Sequence, residues 1–218
     1  MVKGRKLAAS VIAGAALSAG LMAPMAHAAV GGPKSDNPGI VGLTDSEGNQ
    51  VCSAVLVDSQ WALTYDGPLS CANAKFGTGD SHDSVEIDRT EVTDRAPDES
   101  QAMLVHFASP IQRVKPVELD TKAPEKGEKL EVAAFNGEEG INKLLSVGVS
   151  PISIEGHNAW LSWFQQPEQM KLETAKDSGA AVLRDGKLVG FVELVTEKST
   201  SAEDVANVAD WVKETIGK

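Results

Sequence analysis

Short apolar runs recur along the chain at residues 39–43, 51–57, 102–107, 130–135, 144–154, 180–183 and 188–195, with Gly, Asp, Asn and Pro between them. Short strands punctuated in this way predict an all-β sandwich or barrel. Between the last two runs, Asp185-Gly186 supplies the two positive-φ positions of a tight type I′ hairpin turn. Ser46-Glu47-Gly48-Asn49 predicts an earlier hairpin connection. A helical stripe occurs at the C-terminus, where Val205, Val208, Ala209, Val212 and Ile216 share one face. Thr200 to Glu203 is spaced as a capping box and Gly217 stops the pattern, so a helix is expected over about 201–216. The acidic segment 88–99 reads as a long loop and the Lys/Glu-rich segment 121–129 as a linker.

The first 28 residues have a different grammar. Lys3, Arg5 and Lys6 precede a small-residue apolar run to about Met22, then Pro24 and Ala26-His27-Ala28. This is the layout of a secretory signal peptide with an Ala-x-Ala cleavage site, and it suggests bacterial export. The run is short and Ala/Gly-rich for a membrane span of about 20 residues. Cleavage after Ala28 would remove three cationic residues and no carboxylate, leaving 17 Lys and Arg against 31 Asp and Glu, a net charge of −14. Such a surface repels phosphate backbones and anionic lipid, which argues against nucleic-acid or membrane partners. The remaining 29–218 can bury roughly 70% of its unfolded surface, enough for a core of its own. A secreted or cell-envelope location makes a disulfide between Cys52 and Cys71 the expectation, with two buried thiols as the alternative. Closing that loop would stabilise by about 3 kcal/mol in the chain-entropy model.

Several segments, in order, resemble the trypsin-like serine protease family along nearly all of 29–218. Ala29-Val30-Gly31-Gly32 resembles its mature N-terminus, and Cys52 to Val57 through Trp61-Ala62-Leu63-Thr64 resembles the strand pair that leads to its catalytic histidine. Ala102 to Phe107, Ala108-Ser109-Pro110-Ile111 and Val114 to Leu119 resemble the segment that follows the catalytic aspartate. Asp177-Ser178-Gly179 with Leu183 to Gly190 resembles the serine loop and its hairpin, and Ala209-Asp210-Trp211-Val212 to Ile216 resembles the terminal helix. The resemblance implies two six-stranded antiparallel β-barrels, over about 38–119 and 128–198, followed by the helix.

It also implies an active site that this chain lacks. The histidine position falls on Gly67 and the aspartate position on Gln101, and no histidine lies between Cys52 and Cys71. Ser178 is retained, but a serine hydroxyl needs a neighbouring base to attack. The second oxyanion-hole N–H belongs to a glycine in the family and to Lys176 here. His82, His106 and His157 read as solvated or structural, and Lys176 and Ser178, two apart in a turn, are poorly placed for a dyad. The positions matching the substrate-holding strand are Glu193, Leu194 and Val195, and the base of the specificity pocket is Leu172. Bulky side chains there imply a partly filled, acidic-rimmed hydrophobic slot. The resemblance leaves two arrangements open at Asp177: docking of a free Ala29 ammonium, or hydrogen bonding within its own loop.

These readings imply a catalytically inactive protease homologue that binds an unknown protein or peptide, without metal or cofactor. A serine endopeptidase with a residual or rearranged site and a structural envelope protein are the alternatives. Trp160, Trp163 and Phe164 form a candidate binding cluster, although aromatics at that spacing more often belong to a core.

Overall fold

The computed structural model describes residues 34–35, 39–67, 71–78, 81–94, 102–137, 145–172 and 176–217. The signal-peptide segment 1–28, Ala29 and Gln101 lie outside the described residues.

Two closed six-stranded antiparallel barrels form the molecule. In the first, β2 (Ile40–Thr44), β3 (Gln50–Asp58), β4 (Trp61–Tyr65), β7 (Ala102–Phe107), β6 (Ser81–Val92) and β5 (Asn73–Thr78) close in that order. In the second, β9 (Leu145–His157), β10 (Leu161–Gln165), β13 (Ser199–Asp204), β12 (Lys187–Val195), β11 (Ala181–Arg184) and β8 (Lys129–Gly137) close through the β8–β9 pairing. A two-residue strand β1 (Lys34–Ser35) adds to β9. The Asp185-Gly186 turn adopts φ of 49° and 77°, the left-handed pair that its sequence requires.

Alternation sends one face of each strand inward. Leu43, Leu56, Val105 and Phe107 fill the first barrel, and Leu130, Val132, Ile154 and Phe164 fill the second. A third cluster joins them: Val55, Leu63 and Leu104 meet Phe135, Leu183 and Phe191 across the seam. Phe135 lies against Gly42, where a Cβ would sit 2.2 Å from its ring, so the barrels approach at backbone distance. Each large side chain buried here contributes roughly 1.5–3 kcal/mol. The linker 119–128 is fastened by Arg184, which donates to Asp120 (2.7 Å) and, through two nitrogens, to Glu128 (2.6 and 2.9 Å).

The C-terminal region corrects the expected boundaries. Thr200 to Glu203 is not a capping box: 199–204 is the strand β13, paired on one side with β10 and on the other with β12. The second barrel therefore runs beyond residue 198, a short 3₁₀ turn covers Val205–Asn207, and the helix α1 is Ala209–Ile216. The acidic segment expected as a loop supplies the end of β6, which pairs with β7 from Ile87 to Val92. His82 lies in β6 and His157 ends β9.

Candidate functional site

Ser178 follows a buried Asp177 in a tight turn where the barrels meet. Its main-chain oxygen accepts from Ser53 N–H of the first barrel (2.9 Å), and Ala180 N–H donates to Asp177 O (3.0 Å). Gly179 takes φ +82°, and a Cβ there would lie 2.0 Å from Ser53 O and 2.1 Å from Thr64 Oγ1. Only glycine fits, since the left-handed conformation and the close backbone both exclude a side chain. Asp177 is 3% exposed and Ser178 6%.

The Ser178 hydroxyl donates to the main-chain oxygen of Glu193 at 3.2 Å. A carbonyl can hold that proton in place but cannot take it away as a base. The carbonyl of Lys176 is also engaged, accepting from Gln50 Nε2 (3.2 Å) and Ser53 Oγ (3.3 Å) of the first barrel. Lys176 itself is exposed. Among the described residues Asp185 is the non-glycine with a positive φ, so Lys176 does not reproduce a glycine conformation in this loop.

The first-barrel side of the cleft carries a residue that the sequence reading missed. Gly67 follows Tyr65, a half-buried phenol packed against the inter-barrel core. Burial, then the nearby charges of Glu193 and Asp66, raise the Tyr65 pKa. The Glu193 carboxylate accepts from Ser201 Oγ at 3.3 Å. The charge that Tyr65 senses thus belongs to the residue whose main-chain oxygen holds the Ser178 hydroxyl. Among the histidines, His106 donates from Nδ1 to Asp88 at 2.6 Å and packs edge-on to Trp61, with ring centroids 4.6 Å apart. It pairs with Trp61 at one end of β4, whereas Tyr65 closes the other. Those positions are four steps apart along the strand, about 13 Å.

Leu172 and Val195, buried at 1% and 5% exposure, line one recess of about 650 Å³ with Gln166, Pro167 and Thr196. Glu193 and Leu194 do not line it. Among the described residues its charged lining is Lys171 and Glu197, one of each sign, where an acidic rim was expected. Gln166 braces it, donating to Thr196 O (3.0 Å) and accepting from Leu172 N–H (3.2 Å). The aromatic cluster divides: Phe164 is fully buried in the second barrel, while Trp160 and Trp163 are 38% and 39% exposed. Trp163 lies over Gly156, whose missing side chain makes room for the indole. On the neighbouring strands Trp163 pairs with Ser201 and Ser201 with Leu194, so the three share one face.

Cys52 and Cys71 are free thiols, which corrects the expected disulfide. They are neighbours all the same. The hydrogen bond between the two sulfurs, together with burial, holds the Cys52 thiol well above its ordinary pKa, and the same bond lowers that of Cys71. Cys52 Sγ also lies 3.8 Å from Thr64 Oγ1, beneath the serine loop. No helix among the described residues is long and apolar enough to cross a membrane.

No family model matches the chain, and no curated protein matches it. Solved structures do. A serine protease of mouse brain, neuropsin, is 16% identical over 83% of this chain and 95% of its own, with a TM-score of 0.66. An inactivated protease paralogue of the scabies mite is 15% identical over 86% of this chain and 99% of its own, with a TM-score of 0.70. At these identities the likeness is one of fold: the chain has the two-barrel architecture of trypsin-like serine proteases.

Proposed function

We propose that this trypsin-like fold serves as a secreted, catalytically inactive protease homologue that binds a protein or peptide partner. The observation that carries the reading is the hydrogen bond from Ser178 Oγ to the Glu193 carbonyl, 3.2 Å, in place of one to a base. In subtilisin, an unrelated enzyme with a comparable triad, loss of the histidine or the serine costs about a million-fold in rate, roughly 8 kcal/mol of barrier. Lys176 in place of the glycine of the oxyanion loop supports the same reading, because it does not take a left-handed glycine conformation there. The resemblance to an inactivated paralogue is consistent with it.

Export follows from the signal-peptide layout of 1–28, and processing after Ala28 would create an Ala29 ammonium. Asp177 matches the carboxylate on which the family's activated amino group docks, and we propose that the Ala29 ammonium docks there, with hydrogen bonding within its own loop as the alternative. The exposed row of Trp163 and Leu194, with Trp160 close by in sequence, is the surface offered to a partner.

A fluorophosphonate probe tests the central point. Purified protein is expected to remain unlabelled under conditions that label a trypsin-like control completely. Labelling of Ser178 that Ser178→Ala abolishes would replace this reading with that of a serine endopeptidase.

A further inference from the structure

The β9–β10 turn, residues 158–160, stands exposed at one end of the second barrel. Two sets of hydrogen bonds hold it. Within the turn, Asn158 Oδ1 accepts from Trp160 N–H (2.8 Å) and Leu161 N–H (2.9 Å), and Asn158 N–H donates to the Leu161 carbonyl (2.9 Å). Outward, the Trp160 carbonyl accepts from Asp204 N–H (3.0 Å) and Asn207 Nδ2 (3.1 Å). Lifting the turn as a unit keeps the inner bonds and breaks the outer ones, the pattern of a local opening.

A carboxylate is buried where the turn is tied down. Asp204 shares the inward face of β13 with Ala202, and Ser162 shares the inward face of β10 with Phe164. Ser162 Oγ donates to Asp204 at 2.7 Å, and both residues are 2% exposed. Among the described residues Ser162 is the one side-chain donor to this carboxylate, which when ionised has about four acceptor sites. A buried charge so poorly solvated is costly, whereas the neutral acid is not. Around it β12 presents Gly190, β10 presents Ser162 and the 3₁₀ turn presents Asn207, all uncharged. His157, at the end of β9, is the charged group that acts on it, and Glu203 lies on the opposite face of its own strand. Burial pushes the Asp204 pKa up to about 6 against the pull of Ser162 and His157.

We propose that the 158–160 turn is a latch worked by acidity: it stays closed while Asp204 is protonated and opens as Asp204 ionises, because an open turn admits water to the carboxylate. The closed turn binds the Asp204 proton more tightly than an open one, in which the carboxyl is hydrated and returns to its ordinary value of 3.8. Opening is therefore least in acid, grows as pH rises towards about 6, and levels off above. Trp160, 38% exposed, rides on the turn. It borders the surface proposed above for a partner, so the latch sets how that surface is presented, but its opening does not depend on a partner.

Limited digestion with chymotrypsin, which cuts after aromatic residues, tests the latch, since cleavage follows the population of the opened state. The rate of cutting after Trp160 is measured from pH 5 to 8 and divided by the rate on a free peptide of residues 155–165, which removes the pH dependence of the digesting enzyme. A rise of about tenfold across that range is expected. Asp204→Asn, which keeps an acceptor for Ser162, should make the normalised rate independent of pH, and His157→Gln should leave the rise in place. A flat wild-type profile, a rise that persists in Asp204→Asn, a rise that His157→Gln abolishes, or a first cut outside the turn would each overturn it. None of these outcomes bears on labelling of Ser178, so the latch and the inactive-homologue reading fail separately.

Discussion

The serine loop and strand β9 each bury a serine of the second barrel, and they treat its hydroxyl in opposite ways. In the loop, the Ser178 hydroxyl, the Ser178 and Lys176 carbonyls and the Gly179 N–H all have protein partners. In β9, the fully buried Ser150 hydroxyl has none. A bonded hydroxyl recovers much of what it loses on leaving water, whereas an unpaired buried one recovers none of it.

The harshest way to break this contrast is at Gly179. Alanine there must hold a left-handed φ and push a methyl into the Ser53 carbonyl, so Gly179→Ala is expected to destabilise by about 4 kcal/mol, read from the urea midpoint. A wild-type midpoint would show that the loop is looser than its hydrogen bonds imply. One residue added before Ala29 should lower the melting temperature by several degrees if the new N-terminus docks on Asp177. An unchanged value would leave Asp177 bonded within its own turn.

Asp204 is an intermediate case. It is 2% exposed, accepts from Ser162 Oγ at 2.7 Å, and burial pushes its pKa up to about 6 despite that bond and the charge of His157. The folded state thus binds this proton more tightly than the unfolded chain, whose ordinary value is 3.8. Stability from this group is greatest below about pH 4, falls as pH rises towards 6, and is level above, a span of roughly 2–3 kcal/mol. Asp204→Asn should raise the urea midpoint at pH 8, and the two proteins should converge near pH 4. The mildest test is a matched pair of hydroxyl deletions. Ser178→Ala strands the Glu193 carbonyl and should cost about 1 kcal/mol, while Ser150→Ala removes an unpaired hydroxyl and should cost nothing or stabilise slightly. Equal costs would erase the distinction between the two regions.

Much of the architecture was legible in the apolar runs, because a barrel interior demands alternation, and Asp185-Gly186 can adopt few other conformations. Strands with little apolar content were not. β6 reads Ser-His-Asp-Ser-Val-Glu-Ile-Asp-Arg-Thr-Glu-Val, with Val85 its buried anchor, and the solvated face dominates the pattern. β13 is small and polar and looks like a helix start, but neighbours on both sides bury Thr200, Ala202 and Glu203 and impose the strand. Ser178 was readable because its loop is local. The influence of Glu193 on Tyr65 was not, since it arises only where β4 and β12 approach across the two barrels. Ser150 escaped for a similar reason: a serine in an apolar run is unremarkable until its partner is looked for.

One residue of the first barrel, Ser53, holds the second through its main-chain N–H to Ser178, while its hydroxyl accepts from Phe135 N–H at 3.1 Å. With Phe135 seated on Gly42, the join is continuous from backbone to side chain. A chain nicked between residues 121 and 126 would still hold its halves together as a noncovalent pair, and neither half alone would keep the serine turn in shape.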